Sequence, residues 1–512
     1  MLLQALLALF ALLFSYKLCI ARSKSKKTRR IEPPEPPSAW PVIGHLRLLG
    51  GPQPFHQTAA AMADKYGPIF MLRLGIHPTL VVSSWEVVKE CFTTNDKVLA
   101  TRPNTAAGKY MCYDNSMFGM APYGPYWRSM RKITTVHLLS NARLDALKHI
   151  QDREIDAHVK MLYGLWAKND GGPVLVGMRN WFGDLTFDVV VTMVVGKRFG
   201  TDGADGESRR FRNVIDRFLQ YILMFIASDL LPFTEWMDWK GHKRGMKRVA
   251  EELDSIISVY LEEHRRKRLS DGAHSDQDFM DVMLSIIDDD EFSSYDPDTT
   301  IKATTLSLII GGTDTSAVNL AVALSFILNN PHVLKKAQDE LDIHVGKDRH
   351  VDESDIRNLV YLQAILKETL RLSPVSTFLP LHEAMEDCQL GGFHVPAGTR
   401  VLVNSWKVHR DPRVWPDPLV FRPERFLTSH VNVDVRGQQF EYIPFGSGRR
   451  SCSGVSFAMQ VMHLTLARVL HGFEPARPSD AAMDIESLTV GNPKSTAVEV
   501  LLSPRLRSDL YE

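Results

Sequence analysis

Residues Phe445 to Gly454 read Phe-Gly-Ser-Gly-Arg-Arg-Ser-Cys-Ser-Gly and set one cysteine, Cys452, in a turn framed by Gly446, Gly448 and Gly454. Glycine permits positive φ and lets a backbone come close to a flat ligand. Apolar residues then recur with helical spacing from Val455 to Leu470, and Gly472 closes the pattern. Cys452 therefore precedes a helix N-terminus, beside the cations Arg449 and Arg450, and both features favour a thiolate. A thiolate in a glycine-lined turn is suited to hold a metal from one side. Two other readings compete. Gly446-Ser447-Gly448 could open a dinucleotide loop, but the third glycine is absent. A lone cysteine is more often a small buried hydrophobe.

Other groups carry chemical potential. Trp127 and Arg131 stand four apart, on one face of a helix. On spacing alone the pair is equally a surface arginine packed on tryptophan. From Ile301 to Leu328 the pattern is apolar almost all round, which marks a buried central helix. Its middle nevertheless reads Gly311-Gly312-Thr313-Asp314-Thr315-Ser316. An interior glycine costs about 1 kcal/mol relative to alanine, and a carboxylate in an apolar helix costs more unless partnered. Such violations are tolerated most readily at functional sites; a kink from packing alone is the alternative. Glu368 and Arg371 are three apart, the default spacing of an ordinary surface ion pair. His382-Glu383-Ala-Met-Glu386 lacks the second histidine of a zinc motif, so His382 read alone is structural.

Phe445, Gly448, Arg450, Cys452 and Gly454 match every defining position of the haem-binding signature of the cytochrome P-450 superfamily. The chain resembles that family over nearly its whole length. The resemblance implies haem b (iron protoporphyrin IX), with Cys452 as the metal ligand and Phe445, Arg450 and Gly454 in the cofactor-binding turn. Thiolate ligation of haem iron favours O–O cleavage. The resemblance further implies that Trp127, Arg131 and His382 contact haem propionates, and that Asp314 and Thr315 are the catalytic proton relay. Gly311 stands where alanine is commoner in the family. Glu368 and Arg371, with Arg425 from Phe421-Arg-Pro-Glu-Arg-Phe426, would form a structural triad behind the haem. The family's substrate contacts fall on Tyr110, Met111, Met117, Phe118, Leu306, Ile310, Val375, Phe378 and Leu379, an apolar wall suited to a rigid ring system.

The elements that position these groups are mostly helical. Residues 143–167, 181–198, 209–270 and 355–372 read as helices, and Met71-Leu-Arg-Leu, Leu80-Val-Val and residues 393–406 as short strands. Residues 104–125 lack periodicity and suit a long functional loop. His264-Arg-Arg-Lys-Arg268 reads as a solvated helix end, with a reductase-facing patch as the alternative. Asp288-Asp-Asp-Glu291 reads as a loop.

Residues Leu2 to Ile20 are mostly apolar and are followed by Arg22, Lys24, Lys26, Lys27, Arg29 and Arg30. About 20 apolar residues can span a bilayer. Positive charge after that stretch and not before it argues for an uncleaved anchor with the body on the cytosolic side. Pro33-Pro34-Glu35-Pro36-Pro37 follows as a stiff hinge. The 512 residues carry no net charge, which gives no support for nucleic-acid binding. Five scattered cysteines without a C-x-x-C pair point to a reducing compartment.

The expected fold is mainly α with small β-sheets, a cytochrome P-450 fold whose single triangular catalytic domain follows an N-terminal membrane anchor. The expected division is residues 1–21 as anchor, 22–41 as basic and proline-rich hinge, and 42–512 as haem-thiolate monooxygenase domain. The expected activity is hydroxylation in the endoplasmic reticulum membrane, single-pass, with the catalytic domain cytosolic. One atom of O2 would enter the substrate and the other leave as water. No flavin or nicotinamide unit is apparent, so electrons from NADPH would arrive through a separate NADPH-cytochrome reductase in contact with the same membrane lipid. Short motifs such as Ala39-Trp-Pro-Val-Ile-Gly-His45 and Asp434-Val-Arg-Gly-Gln438 resemble plant microsomal members that oxidise flavonoids, coumarins, alkaloids and terpenoids. A small apolar or aromatic metabolite such as a flavonoid, coumarin or alkaloid is therefore the expected substrate. Terpenoid or steroid hydroxylation, ring coupling or rearrangement, and a haem carrier without turnover are the alternatives. Asp314 and Thr315 argue against a peroxide isomerase.

Overall fold

The apolar run at the centre of the chain forms two consecutive helices, Pro297–Gly312 and Asp314–Asn329, in a computed structural model that describes residues 31–199, 206–238, 240–271, 278–287, 296–488, 490 and 498–511. Asp296 caps the first by accepting from the Thr299 amide, with Pro297 at the first helical position, where its missing N–H costs nothing. The single central helix read from the sequence is thus interrupted. Thr313 leaves helical geometry (φ −80°, ψ −81°) between the two segments. Both are buried nearly all round, against helix Met178–Val195 and the helix after the cysteine turn, Val455–Gly472. Pro297–Asn329 is also, among the described residues, the stretch long and apolar enough to cross a membrane; its place in the protein core accounts for that composition.

Among the described residues nine strands make three small sheets: β1 (Ile69–Leu74), β2 (His77–Val82), β3 (Val174–Gly177), β4 (His382–Glu383), β5 (Cys388–Leu390), β6 (Phe393–Val395), β7 (Arg400–Val403), β8 (Phe473–Ala476) and β9 (Glu499–Pro504). The sheet that flanks the site runs β1-β2-β7-β4, with β2 and β7 parallel and the other pairs antiparallel. The described end of the proline-rich segment lies against this sheet. Pro34 accepts from the Met71 amide, and Glu35 bonds Arg73 at 2.6 Å.

Several helical spans differ from the sequence pattern. The stretch 209–270 divides into Gly206–Ile222 and His242–Asp271, with short turns at Ala227–Leu230 and Pro232–Thr234 between them. Pro232 cannot continue a helix from the preceding turn. Residues 355–372 divide at Leu359 into a tight turn and helix Val360–Leu372. The irregular stretch 104–125 contains helix Ala106–Met111, capped by the Thr105 hydroxyl. His264 does not belong to a solvated end: it is buried, bonding the Tyr260 carbonyl through Nδ1 and Asp278 through Nε2 at 2.7 Å each. The anchor 1–21 and the acidic run Asp288–Glu291 lie outside the described residues.

Behind the cysteine turn, the Glu-x-x-Arg pair is not a surface pair. Glu368, Arg371 and Arg425 are all buried. Arg371 grips Glu368 with two parallel bonds of 2.7 and 2.8 Å, and Arg425 adds a third at 3.0 Å. The remaining Arg371 donors reach the carbonyls of His409 and Pro418. His409 accepts from the Ile443 amide at 2.9 Å, two residues before Phe445. Burial, with Arg410 and Arg371 nearby, lowers the His409 pKa to about 3, so Nε2 keeps the lone pair that this bond requires. Removing one member of a buried charge network costs about 3–5 kcal/mol. Glu368→Ala is therefore expected to unfold at a markedly lower denaturant concentration than wild type; an unchanged midpoint in chemical denaturation would contradict this.

Candidate active site

The cysteine turn is held by backbone geometry that few residues allow. Gly446 and Gly448 have φ of +72° and +65°. A Cβ on Gly448 would stand 2.3 Å from Asp96 Oδ1, the atom that accepts from the Arg449 amide at 3.0 Å. Asp96 also pairs with the Arg449 side chain at 3.1 Å. Ser447 Oγ donates to Gly437 at 2.6 Å, and the Cys452 amide donates to Phe445 at 2.9 Å, which closes the turn. Gly454 then leads into Val455–Gly472.

Cys452 is ringed by protein atoms yet retains exposed surface. The expectation of a lowered thiol pKa does not hold for the isolated chain. Burial raises it, and the Gly454 amide and Arg131 offset only part of that. The two cations next to it in sequence turn elsewhere. Arg449 pairs with Asp96. Arg450 donates to the carbonyls of Ala100, Phe118 and Ala121 and stacks on Trp127, with 4.3 Å between guanidinium carbon and ring centroid. A coordinated metal ion would supply the missing stabilisation of the thiolate.

Arg131, one helical turn after Trp127 on Pro125–Lys132, reaches the cysteine turn instead. It donates to the Ser451 carbonyl at 2.6 Å and to the Ser453 hydroxyl at 2.7 Å. Trp127 is buried, with Arg450 over its ring and Tyr123 packed against it at a tilt. A third guanidinium, Arg102, joins them and was not singled out in the sequence. It bonds the carbonyls of Pro380 and Leu381 at 2.7 Å each, just before His382. Burial pulls its pKa down to about 10. Burial and the charges of Arg102 and Arg131 bring Arg450 down to about 9. Among the described residues none of the three is paired with a carboxylate; they donate to carbonyls and hydroxyls. Clustered, half-buried cations without counter-ions fit an anionic ligand, and the propionates of haem would supply such charge beside Cys452.

His382 sits at the edge of this cluster, on β4. Its Nδ1 donates to the Leu99 carbonyl at 2.7 Å, and its ring meets Phe92 edge-on. Burial, then Arg102 and Arg450, hold its pKa well below the usual value. The neutral ring leaves Nε2 as an acceptor. The expected bond to a propionate would therefore need a second proton on His382, which a nearby carboxylate would favour.

The expected relay residues start the second central helix. Thr315 Oγ1 donates to Gly311 at 2.7 Å. Asp314 forms an ion pair with Arg179 of helix Met178–Val195. That basic partner, 135 residues away in sequence, carries no local signal. Of the nine expected wall residues, Met111, Met117, Leu306 and Ile310 are buried in the main core, with Tyr110, Phe118 and Val375 packed on it. Phe378 instead meets the Phe55 ring at a tilt, 5.3 Å between centroids, and Leu379 belongs to the cluster around β1, β2 and β7.

Comparison with known proteins agrees with this geometry. The sequence model of the family described as Cytochrome P450 matches residues 33–499. A xanthotoxin 5-hydroxylase of Arabidopsis thaliana is 49% identical over 522 residues, covering 99% of each chain. A strychnine-10-hydroxylase of Strychnos nux-vomica is 49% identical over 511 residues, covering 99% of this chain and 97% of that one. A flavonoid-6-hydroxylase of Ocimum basilicum is 48% identical over 519 residues, with coverage of 99% and 97%. Among solved structures, a zebra fish cytochrome P450 with progesterone superposes with a TM-score of 0.73 at 26% identity, covering 88% of this chain and 100% of that one.

With Cys452 as the sole sulfur at the turn, Cys452→Ser is expected to fold with wild-type circular dichroism and to lose the red-shifted carbon monoxide band that reports thiolate ligation in the reduced protein. Persistence of that band in the serine variant would remove Cys452 as the ligand.

Proposed function

The chain belongs to the cytochrome P450 family and is an oxygen-incorporating oxidoreductase; we propose that it hydroxylates a largely apolar plant specialised metabolite, a flavonoid, coumarin or alkaloid. The carrying observation is full-length similarity near 49% to hydroxylases named for xanthotoxin and strychnine, and 48% to one named for a flavonoid. The apolar residues around the central helix support it, because desolvating a charged sugar or nucleotide there would go uncompensated.

Cys452 would hold the haem iron, with Arg102, Arg131 and Arg450 neutralising the propionates, Trp127 fixing Arg450, and His382 closing the cluster. Phe445 and Gly454 bound the turn that aims the sulfur. Bound haem supplies dioxygen activation and oxygen transfer, which thiolate ligation assists. Thr315 would pass a proton from its hydroxyl towards the reacting oxygen and be recharged by Asp314. Arg179 orients the Asp314 carboxylate through their ion pair. Electrons would come from a separate NADPH-cytochrome reductase. Residues 1–21 would anchor the chain in the endoplasmic reticulum membrane, 22–41 would link it, and 42–512 would form the cytosolic catalytic domain.

Microsomes containing the protein, a reductase and NADPH are expected to add one oxygen atom to at least one flavonoid, coumarin or alkaloid of a metabolite panel, read by mass spectrometry. In the same assay Thr315→Ala is expected to retain the carbon monoxide band and divert most reducing equivalents into peroxide. Product only from charged metabolites would overturn the substrate class, and unchanged product per NADPH in the variant would overturn the relay. Deleting residues 1–21 is expected to shift the protein from the membrane pellet to the soluble fraction; full retention in the pellet would place the anchor elsewhere.

A further inference from the structure

Residues Asn95 to Arg102 follow helix Trp85–Phe92 as a turn-rich segment, and nearly every one of them bonds to a distant piece of chain. Towards strands β4 and β5, Asn95 Nδ2 donates to the Gln389 carbonyl at 2.8 Å. The Val98 and Thr101 carbonyls accept from the Met385 and Glu383 amides at 2.9 and 3.1 Å. Towards the cysteine turn, the Ala100 carbonyl accepts from Arg450 and the Asp96 carboxylate from the Arg449 amide. Asp96 is thus carried on a segment that is itself fixed, which a group must be before it can fix another.

Asp96 holds Arg449 in two ways of unequal weight. Its Oδ2 meets Arg449 Nε at 3.1 Å, but the arginine side chain is 48% exposed, and an ion pair facing water is screened and contributes little. Its Oδ1 accepts from the Arg449 backbone amide at 3.0 Å, and the Asp96 side chain is only 17% exposed. A carboxylate on a backbone N–H is a charge-assisted bond, and its donor belongs to the turn itself. Gly448 makes room for it: a Cβ there would meet Asp96 Oδ1 at 2.3 Å and Phe92 Cβ at 3.3 Å. Glycine is therefore required at 448 both by the φ of +65° and by the approach of the carboxylate to the turn.

We infer that Asp96 is a positioning residue for the Cys452 sulfur, acting through the Arg449 amide and not through the Arg449 side chain. The inference rests on the haem-thiolate reading above. The glycines leave the turn more backbone freedom than an aimed ligand tolerates. The Cys452 amide closes the turn on Phe445, Ser447 ties its start to Gly437, and Arg131 holds Ser451 and Ser453 on either side of the cysteine. Asp96 fixes the stretch between these ties, Gly448 to Arg450.

The experiment compares wild type with Asp96→Ala, Asp96→Asn and Arg449→Gln as full-length holoproteins, reduced under carbon monoxide and held in urea below the unfolding transition. The red-shifted band reports thiolate ligation, and far-ultraviolet circular dichroism reports the fold. Asp96→Ala is expected to lose the band about tenfold faster than wild type, as removal of a hydrogen bond to a charged group implies, with its helical signal unchanged. Asp96→Asn keeps an oxygen for the amide and is expected to restore most of the lifetime. Arg449→Gln is expected to match wild type. Equal lifetimes in Asp96→Ala and wild type would overturn the inference. So would an Arg449→Gln as labile as Asp96→Ala, which would assign the effect to the side-chain pair, or an equally labile Asp96→Asn, which would assign it to charge alone. Loss of helical signal together with the band, or an alanine variant that does not fold, would make Asp96 a general stability residue and overturn the inference as well. Each of these failures leaves the wild-type band, and with it the haem-thiolate reading, intact; a wild type without that band would overturn both.

Discussion

One carboxylate, Glu368, carries much of the structural burden behind the site. It is fully buried and shared by two guanidiniums, Arg371 and Arg425, while also accepting from the Arg422 amide. A lone charge in that position would be strongly unfavourable. The site is tolerated because Glu368 accepts four hydrogen bonds and most donors of its partners are used. The same satisfaction ties three remote pieces of chain together: helix Val360–Leu372, the segment from His409 to Arg425, and, through His409, the approach to the cysteine turn. Tyr442 adds a second tether by donating to the Lys367 carbonyl at 2.8 Å. The position of Cys452 is thus set by a rigid polar scaffold and not by the flexibility that its glycines permit.

The opposite electrostatic situation holds on the other side of the turn. Arg102, Arg131 and Arg450 crowd one another, and their guanidinium bonds go to neutral oxygens. His382 stays uncharged beside them, and the Cys452 thiol is kept protonated by burial. Burial leads each of these shifts; the neighbouring arginine charges reinforce it at His382 and Arg450 and oppose it at Cys452. An anionic ligand with a metal centre would relieve the arginines, allow His382 a second proton and draw the proton from Cys452. The local destabilisation is therefore a form of preorganisation for a cofactor.

Features defined by contiguous residues were legible in the sequence. The glycine turn with its following helix, the Trp127–Arg131 spacing, the polar hexad in an apolar helix and the strand patterns around 71, 80 and 400 all carry local signals, and all are found at those places. What escaped depends on tertiary context. Arg102 and Arg179 look like ordinary basic residues until their distant partners, Leu381 and Asp314, are brought up to them. The direction of the Cys452 shift was misread because adjacent Arg449 and Arg450 point to other partners, while burial, invisible in a linear pattern, dominates. Periodicity also cannot locate breaks such as Thr313 and Leu359, where apolar spacing continues across a change of backbone direction.

The parallel pairing of β2 with β7 has a consequence for how the chain is made. Thr79 to Val82 align with Arg400 to Val403, so the inner strand of the sheet lacks one neighbour until synthesis has passed residue 403. The hairpin β1–β2 can form early from local contacts, but its open edge and the apolar side chains of Leu80 and Val82 must wait for that late segment. During translation the nascent chain therefore presents an unpaired strand edge over most of its length, a state that invites wrong pairing or holdase capture. Closure of this sheet, late and long-range, still precedes the emergence of the cysteine turn at 445–454, and β9 pairs with β3 and β8 only after that.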